Sequence, residues 1–186
     1  MSIRSVSNSP MANGGRLNVS SGQLPAGSVL QVVSTTLSSA YSESIAAEII
    51  SSSVVPGLTA SITPVSTSSK IRIDISTYLS SSVEYGLGGF VFRRGSTAIG
   101  VADEAGDRSR LSAFGGALGH EARDIAPISQ TFVDSPSSTS ELTYGISLFN
   151  RDDSTVNMYI NRASNDTDEV FRVRTISTIT LMEVAG

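Results

Sequence analysis

From residue 28 onward, apolar and polar positions alternate with a period of two. Leu58, Ala60 and Ile62 alternate with Thr59, Ser61 and Thr63, and a polar stretch at 64–69 then leads into the cleanest run in the chain. That run sets Ile71, Ile73 and Ile75 against Lys70, Arg72, Asp74 and Ser76. Strict alternation puts one face into a core and leaves the other wet. The signature recurs at Leu142, Tyr144, Ile146 and Leu148, and again at Val156, Met158 and Ile160. The polar residues 150–155 join these two runs, which predicts a hairpin-like pair. Residues 29–35, 90–94, 97–102, 128–134 and 171–184 read as further strands, about eight to ten in all. Residues 44–50 read either as a helix capped by Ser44 or as a strand. Residues 114–124 read as a loop.

Many short strands, Gly and Ser turns every 8 to 12 residues or so, and no strand–helix alternation predict an all-β chain. The expected architecture is an antiparallel β-sandwich or jelly roll over residues 28–186, preceded by an extended N-terminal arm over residues 1–27. The arm region contains Arg4, Arg16 and no acidic residue, with Pro10, Pro25 and several glycines. It buries too little apolar surface to offset its ordering entropy, so it reads as a disordered tail or as an arm ordered only on a partner.

Composition sharpens this picture. The 186 residues are 39% hydrophobic but only 16% charged, against about 25% charged in ordinary domains. Hydroxyls fill the gap, with 35 Ser and 15 Thr. Such sheets carry few charges to guard their edges, and burial in an oligomer is one remedy. The absence of cysteine excludes disulfides, a thiolate nucleophile and every Cys-containing metal site. A net charge of −4 argues against a nucleic-acid partner. No apolar run approaches the roughly 20 residues of a membrane span, so no membrane partner is expected. Residues 1–10 are polar, and no signal peptide is expected there.

Candidate chemistry is thin. His120 is the only histidine, so one chain cannot build a multi-histidine metal site. With Asp124 or Glu121 as orienting carboxylate it could serve a triad once, but no Gly-x-Ser-x-Gly elbow supplies a nucleophile. It reads as a surface or interface histidine. The clusters Asp103, Glu104, Asp107 and Asn165, Asp166, Asp168, Glu169 have oxygen density suited to calcium but not the EF-hand spacing. They read as solvated turns. No carboxylate pair is singled out for glycoside hydrolysis. The expectation is no catalytic, cofactor or metal residue and no enzyme. Arginine outnumbers lysine by 12 to 1, a bias that suits protein interfaces and that genomic base composition also produces. Arg4, Arg16, Arg93 and Arg94 are the candidate partner-binding residues, with Arg108 and Arg110 a further interface pair. No Gly-x-x-x-x-Gly-Lys loop offers a phosphate cradle.

Several short motifs occur in a fixed order. They are Val55-Pro56-Gly57-Leu58-Thr59-Ala60-Ser61-Ile62-Thr63-Pro64 with Ser66-Thr67-Ser68-Ser69-Lys70-Ile71, then Arg94-Gly95-Ser96-Thr97-Ala98-Ile99-Gly100. Phe132-Val133-Asp134-Ser135-Pro136, Tyr159-Ile160-Asn161-Arg162 and Ile176-Ser177-Thr178-Ile179-Thr180-Leu181-Met182-Glu183 follow. This series resembles bacteriophage virion structural proteins of the decoration or tail-fibre type. The segment from Gly15 to Val33 is similar to the linker preceding such domains in longer fibres. The resemblance implies a homotrimeric jelly roll of C1q/TNF-like shape, assembled in the host cytoplasm and carried on a virion. It implies a capsid decoration (cement) protein whose partner is the major capsid protein or another virion protein, bridging capsomers through the arm. A tail-fibre or head-fibre appendage that binds a receptor is the alternative, and a polysaccharide depolymerase stands third.

Overall fold

The computed structural model describes residues 24–83, 87–117 and 124–186. The arginines Arg4 and Arg16, and His120 and Glu121, lie outside the described residues. The strands are β1 (Val29–Leu37), β2 (Tyr41–Ile45), β3 (Ala60–Ile62), β4 (Lys70–Ser81), β5 (Leu87–Arg94) and β6 (Thr97–Ile99). They continue as β7 (Ala113–Ala117), β8 (Ala126–Asp134), β9 (Leu142–Asn150), β10 (Val156–Ile160) and β11 (Ser177–Val184). Every pairing between them is antiparallel. Two sheets result, forming an all-β sandwich of jelly-roll-like character. One holds β1-β11-β4-β10-β2 with β8 on the other edge of β4, and the second holds β3-β9-β5-β6 with β7 also on β5.

The alternation in the chain sets which face is buried. Ile71, Ile73 and Ile75 on β4 are inside, as are Ile179 and Leu181 on β11. They meet Phe90, Phe92, Tyr144, Ile146 and Leu148 of the second sheet in one core. β4 organises the first sheet because its twelve residues are long enough to serve three partners. β8 covers one edge from Ile71 to Leu79. The other edge is shared by β11 (Lys70–Ser76) and by β10 (Leu79–Ser81).

The seam between β10 and β11 is closed by a buried polar knot. Asn161, fully buried with φ 62°, donates to the carbonyls of Leu37 (2.8 Å) and Ser39 (3.1 Å). Its Oδ1 accepts the Ser177 hydroxyl at 2.7 Å, and Ser177 pairs with Thr77 at 2.9 Å. The side chains of Asn161, Ser177 and Thr77 thus satisfy one another, as burial requires.

Four sequence expectations are corrected. The runs at 142–148 and 156–160 do not form a hairpin, because β9 pairs with β3 and β5 while β10 pairs with β2 and β4. The link crosses between sheets, held by the Asn150 amide, which donates to the carbonyls of Ile45, Ala46 and Ser154. Residues 113–117, placed mostly in a loop, form β7. Its partner β5 has Gly89 opposite Phe114, and a Cβ at Gly89 would lie 2.2 Å from the Ala113 carbonyl oxygen. Glycine permits this close approach, which lets β7 pair with β5 there. Residues 171–176 are not strand, and β11 starts at Ser177. The segment 44–50 is no helix: β2 ends at Ile45, and Ile50 makes an isolated bridge to Phe149.

Candidate functional site

Arg93 and Arg94, two of the arginines singled out from the sequence, are largely engaged inside the chain. Arg93 donates from Nε to the Ser147 hydroxyl (3.0 Å) and from its terminal nitrogens to the carbonyls of Ser51 and Ser96, both at 3.2 Å. It thereby pins the irregular segment at 51–55 across β9. Arg94 crosses the sandwich to Asp134 at 2.7 Å, and the Tyr144 hydroxyl reaches the same carboxylate oxygen at 2.8 Å. Burial, then the Asp134 hydrogen bond and charge, push the Tyr144 phenol well above its ordinary range.

The second acidic cluster is neutralised locally. Asp166 pairs with Arg162 (3.5 Å) and Arg174, and Glu169 pairs with Arg172 (3.3 Å) and Thr167 (2.9 Å). Arg162 also lies over the Tyr159 ring, 4.4 Å from its centre. These bonds fix the loop between β10 and β11. Among the described residues no three His, Asp or Glu side chains converge as metal ligands would.

The feature that sequence reasoning did not isolate is the outer face of the six-stranded sheet. Strand register lines its outward residues into rows across β1, β11, β4 and β8. One row is Val32, Met182, Arg72, Val133; the next is Ser34, Thr180, Asp74, Thr131; the third is Thr36, Thr178, Ser76, Ser129. A shorter row, Val29, Val184, Lys70, lies beyond the first. Val29, Val32 and Val133 are each about half exposed. Only Lys70, Arg72 and Asp74 carry charge in these rows, and Arg72 donates bidentately to Asp74 at 3.0–3.1 Å. Burial raises the Asp74 carboxyl, but hydrogen bonds from Arg72 and Thr131 and the guanidinium charge outweigh it and hold it below the usual value. The remaining positions are short hydroxyls and aliphatics. Such a face gives up few strongly hydrated groups when covered, and charge depletion is the compositional mark of interface centres. The signal was present in the alternation itself, in polar positions filled by Ser and Thr where a free wet face usually carries Lys and Glu.

The first described residues and the C-terminus lie beside this face. Gly27 N–H donates to the Ala185 carbonyl and Ala185 N–H to that of Ser28, both at 2.8 Å.

No protein-family model matches this sequence, and no curated protein matches it. Among solved structures the chain is similar to the infectious bursal disease virus VP2 subviral particle, with a TM-score of 0.41 and 8% identity. The match covers 83% of this chain and 38% of that one. A likeness at that level carries no functional weight.

Proposed function

We propose that this chain is a virion structural protein of bacteriophage, a homotrimeric capsid decoration protein that stabilises the head by bridging capsomers. The observation that carries the reading is the open, charge-poor outer face of the six-stranded sheet, with Gly27 bonded to Ala185 at its rim. Four strands about 4.8 Å apart and four rows about 6.8 Å apart span roughly 500 Å². A standard interface buries about 800 Å² on each partner. Exposed Ile176, one residue before β11, extends the apolar surface toward that area. The face is close to neutral while the whole chain carries −4, so copies repel least where this face meets its neighbour. The role needs no chemistry: added buried interface stabilises the assembled shell by mass action.

Two measurements test this reading. Sedimentation of the purified chain should show a trimer, and Val32→Glu with Met182→Glu should give a folded monomer. A trimer that survives both charges means that another face holds the copies together. Images of particles should then show the protein on the shell in hundreds of copies, and deletion of residues 2–24 should abolish attachment while leaving the trimer. A few dozen copies at a tail or vertex would instead indicate the fibre-type appendage. The ion-paired loop at 163–176 favours that second reading, since it presents Val170, Phe171 and Val173 to solvent.

A further inference from the structure

We propose that the cleft between the 101–112 loop and the far end of β9 binds a saccharide bearing a carboxylate. The cleft encloses about 630 Å³, within the range of small-ligand sites. It lies on the second sheet, away from the face assigned to subunit contact, so it stays open in the proposed assembly and does not depend on it.

The arginines point to the ligand. Among the described residues Arg72, Arg93, Arg94, Arg110, Arg162, Arg172 and Arg174 all hydrogen-bond or ion-pair within the chain. Arg108 and Arg151 make no such bond to a described residue, and both line this one cleft. The two guanidiniums, Arg108 from the loop side and Arg151 from the β9 side, offer planar, charge-assisted donors for a carboxylate.

The opposite requirement is met in the same place. Glu48 and Asp107 line the cleft, and as carboxylates they only accept hydrogen bonds. A peptide carboxylate would satisfy the arginines and face repulsion from these two acids. A sugar with several hydroxyls donates to the acids while its own carboxylate accepts from the guanidiniums. Phe114, half exposed, adds an aromatic face against which the C–H side of a ring packs, and buried Phe149 lies at the cleft wall.

The cleft is held in shape by the fold. Glu48 has φ 58°, and its N–H is bonded to the Asp152 carbonyl at 3.1 Å. On the other side, Ala102 N–H donates to the Leu111 carbonyl (3.2 Å) and Arg110 Nε to that of Ala102 (2.7 Å). The loop therefore needs little ordering on binding, which favours affinity.

Calorimetric titration of the full chain with a galacturonic acid disaccharide, N-acetylneuraminic acid and maltose tests the proposal. At least one acidic sugar should bind, more weakly as salt rises, and maltose should not. Arg108→Ala, Arg151→Ala and Phe114→Ala should each weaken binding about tenfold with thermal unfolding unchanged, because all three side chains are exposed. Glu141→Ala, an exposed position just before the opposite end of β9, should bind as the parent does. The proposal is overturned if neither acidic sugar binds or if maltose binds equally well. It also fails if the cleft variants keep full affinity, or if Glu141→Ala loses as much as they do.

Discussion

Tyr144 donates its hydroxyl to Asp134 at 2.8 Å, and the oxygen that accepts it also takes Arg94 at 2.7 Å. One carboxylate oxygen on β8 thus ties two strands of the opposite sheet across the sandwich. Asp134 is nearly buried, while the Arg94 side chain keeps 30% exposure, so the pair is worth less than a fully dry one. Asp134→Ala leaves both partners unsatisfied and should cost about 2–3 kcal/mol. Tyr144→Phe removes one bond and should cost about 1 kcal/mol. Urea unfolding of both variants checks the order, and equal losses would mean that the carboxylate does not join the sheets.

Alkaline pH should reveal the two displaced phenols. Tyr41 is pushed up to about 12, first by burial and then by the charge and hydrogen bond of Glu43, and Tyr144 rises further still. Both folded values exceed the unfolded value near 10, so the folded state holds these protons more tightly. Their contribution is complete below pH 10 and is lost as pH climbs toward the folded values. Phenolate absorbance of the parent compared with Tyr41→Phe and Tyr144→Phe should show both phenols ionising late, with stability falling only above pH 10. Loss of a signal near pH 10 in either variant would contradict this.

Two glycines with the same backbone but different surroundings separate strain from crowding. Gly95 and Gly100 both have φ 57°, yet a Cβ at Gly95 meets nothing within 4 Å, whereas one at Gly100 lies 2.8 Å from the Phe132 ring. Phe132 stacks on Phe92 with ring centres 6.2 Å apart, so it cannot retreat without disturbing the core. Gly95→Ala should cost about 1 kcal/mol from backbone alone. Gly100→Ala should cost roughly 2–4 kcal/mol, because overpacking adds to the same strain. Thermal unfolding of the pair measures the difference directly.

The alternation was enough to place β4, β9, β10 and most of β1 and β8, since a half-buried strand writes its two faces into consecutive residues. It could not assign partners. Leu142 to Leu148 and Val156 to Ile160 look like two arms of a hairpin because local spacing carries no record of which sheet a strand joins. That choice is made by long-range groups such as the Asn150 amide, whose three carbonyl partners lie on two other segments. Likewise Arg93 and Arg94 stood out as a charged pair, but only the folded chain shows one clamping a loop and the other crossing the core. The cleft arginines Arg108 and Arg151 lie 43 positions apart in the chain, and no linear pattern brings them together.

Asn161 offers the sharpest test of the seam between β10 and β11. Its φ of 62° is strained for any residue with a Cβ, and asparagine tolerates it better than most. Its side chain supplies two donors to the Leu37 and Ser39 carbonyls and one acceptor to Ser177. Asn161→Gly removes the strain but also all three of these bonds, and should cost about 2–4 kcal/mol. Asn161→Ala loses the same bonds and keeps the strain, so it should be worse than Gly by about 1 kcal/mol. Asn161→Asp keeps the shape but turns a carboxylate oxygen toward two carbonyls, so it should be destabilising at neutral pH and partly recover as acid protonates it. If chemical unfolding ranks Ala above Gly, backbone strain is not what selects asparagine here. If Asp is as stable as the parent, the two carbonyl bonds do not hold the seam.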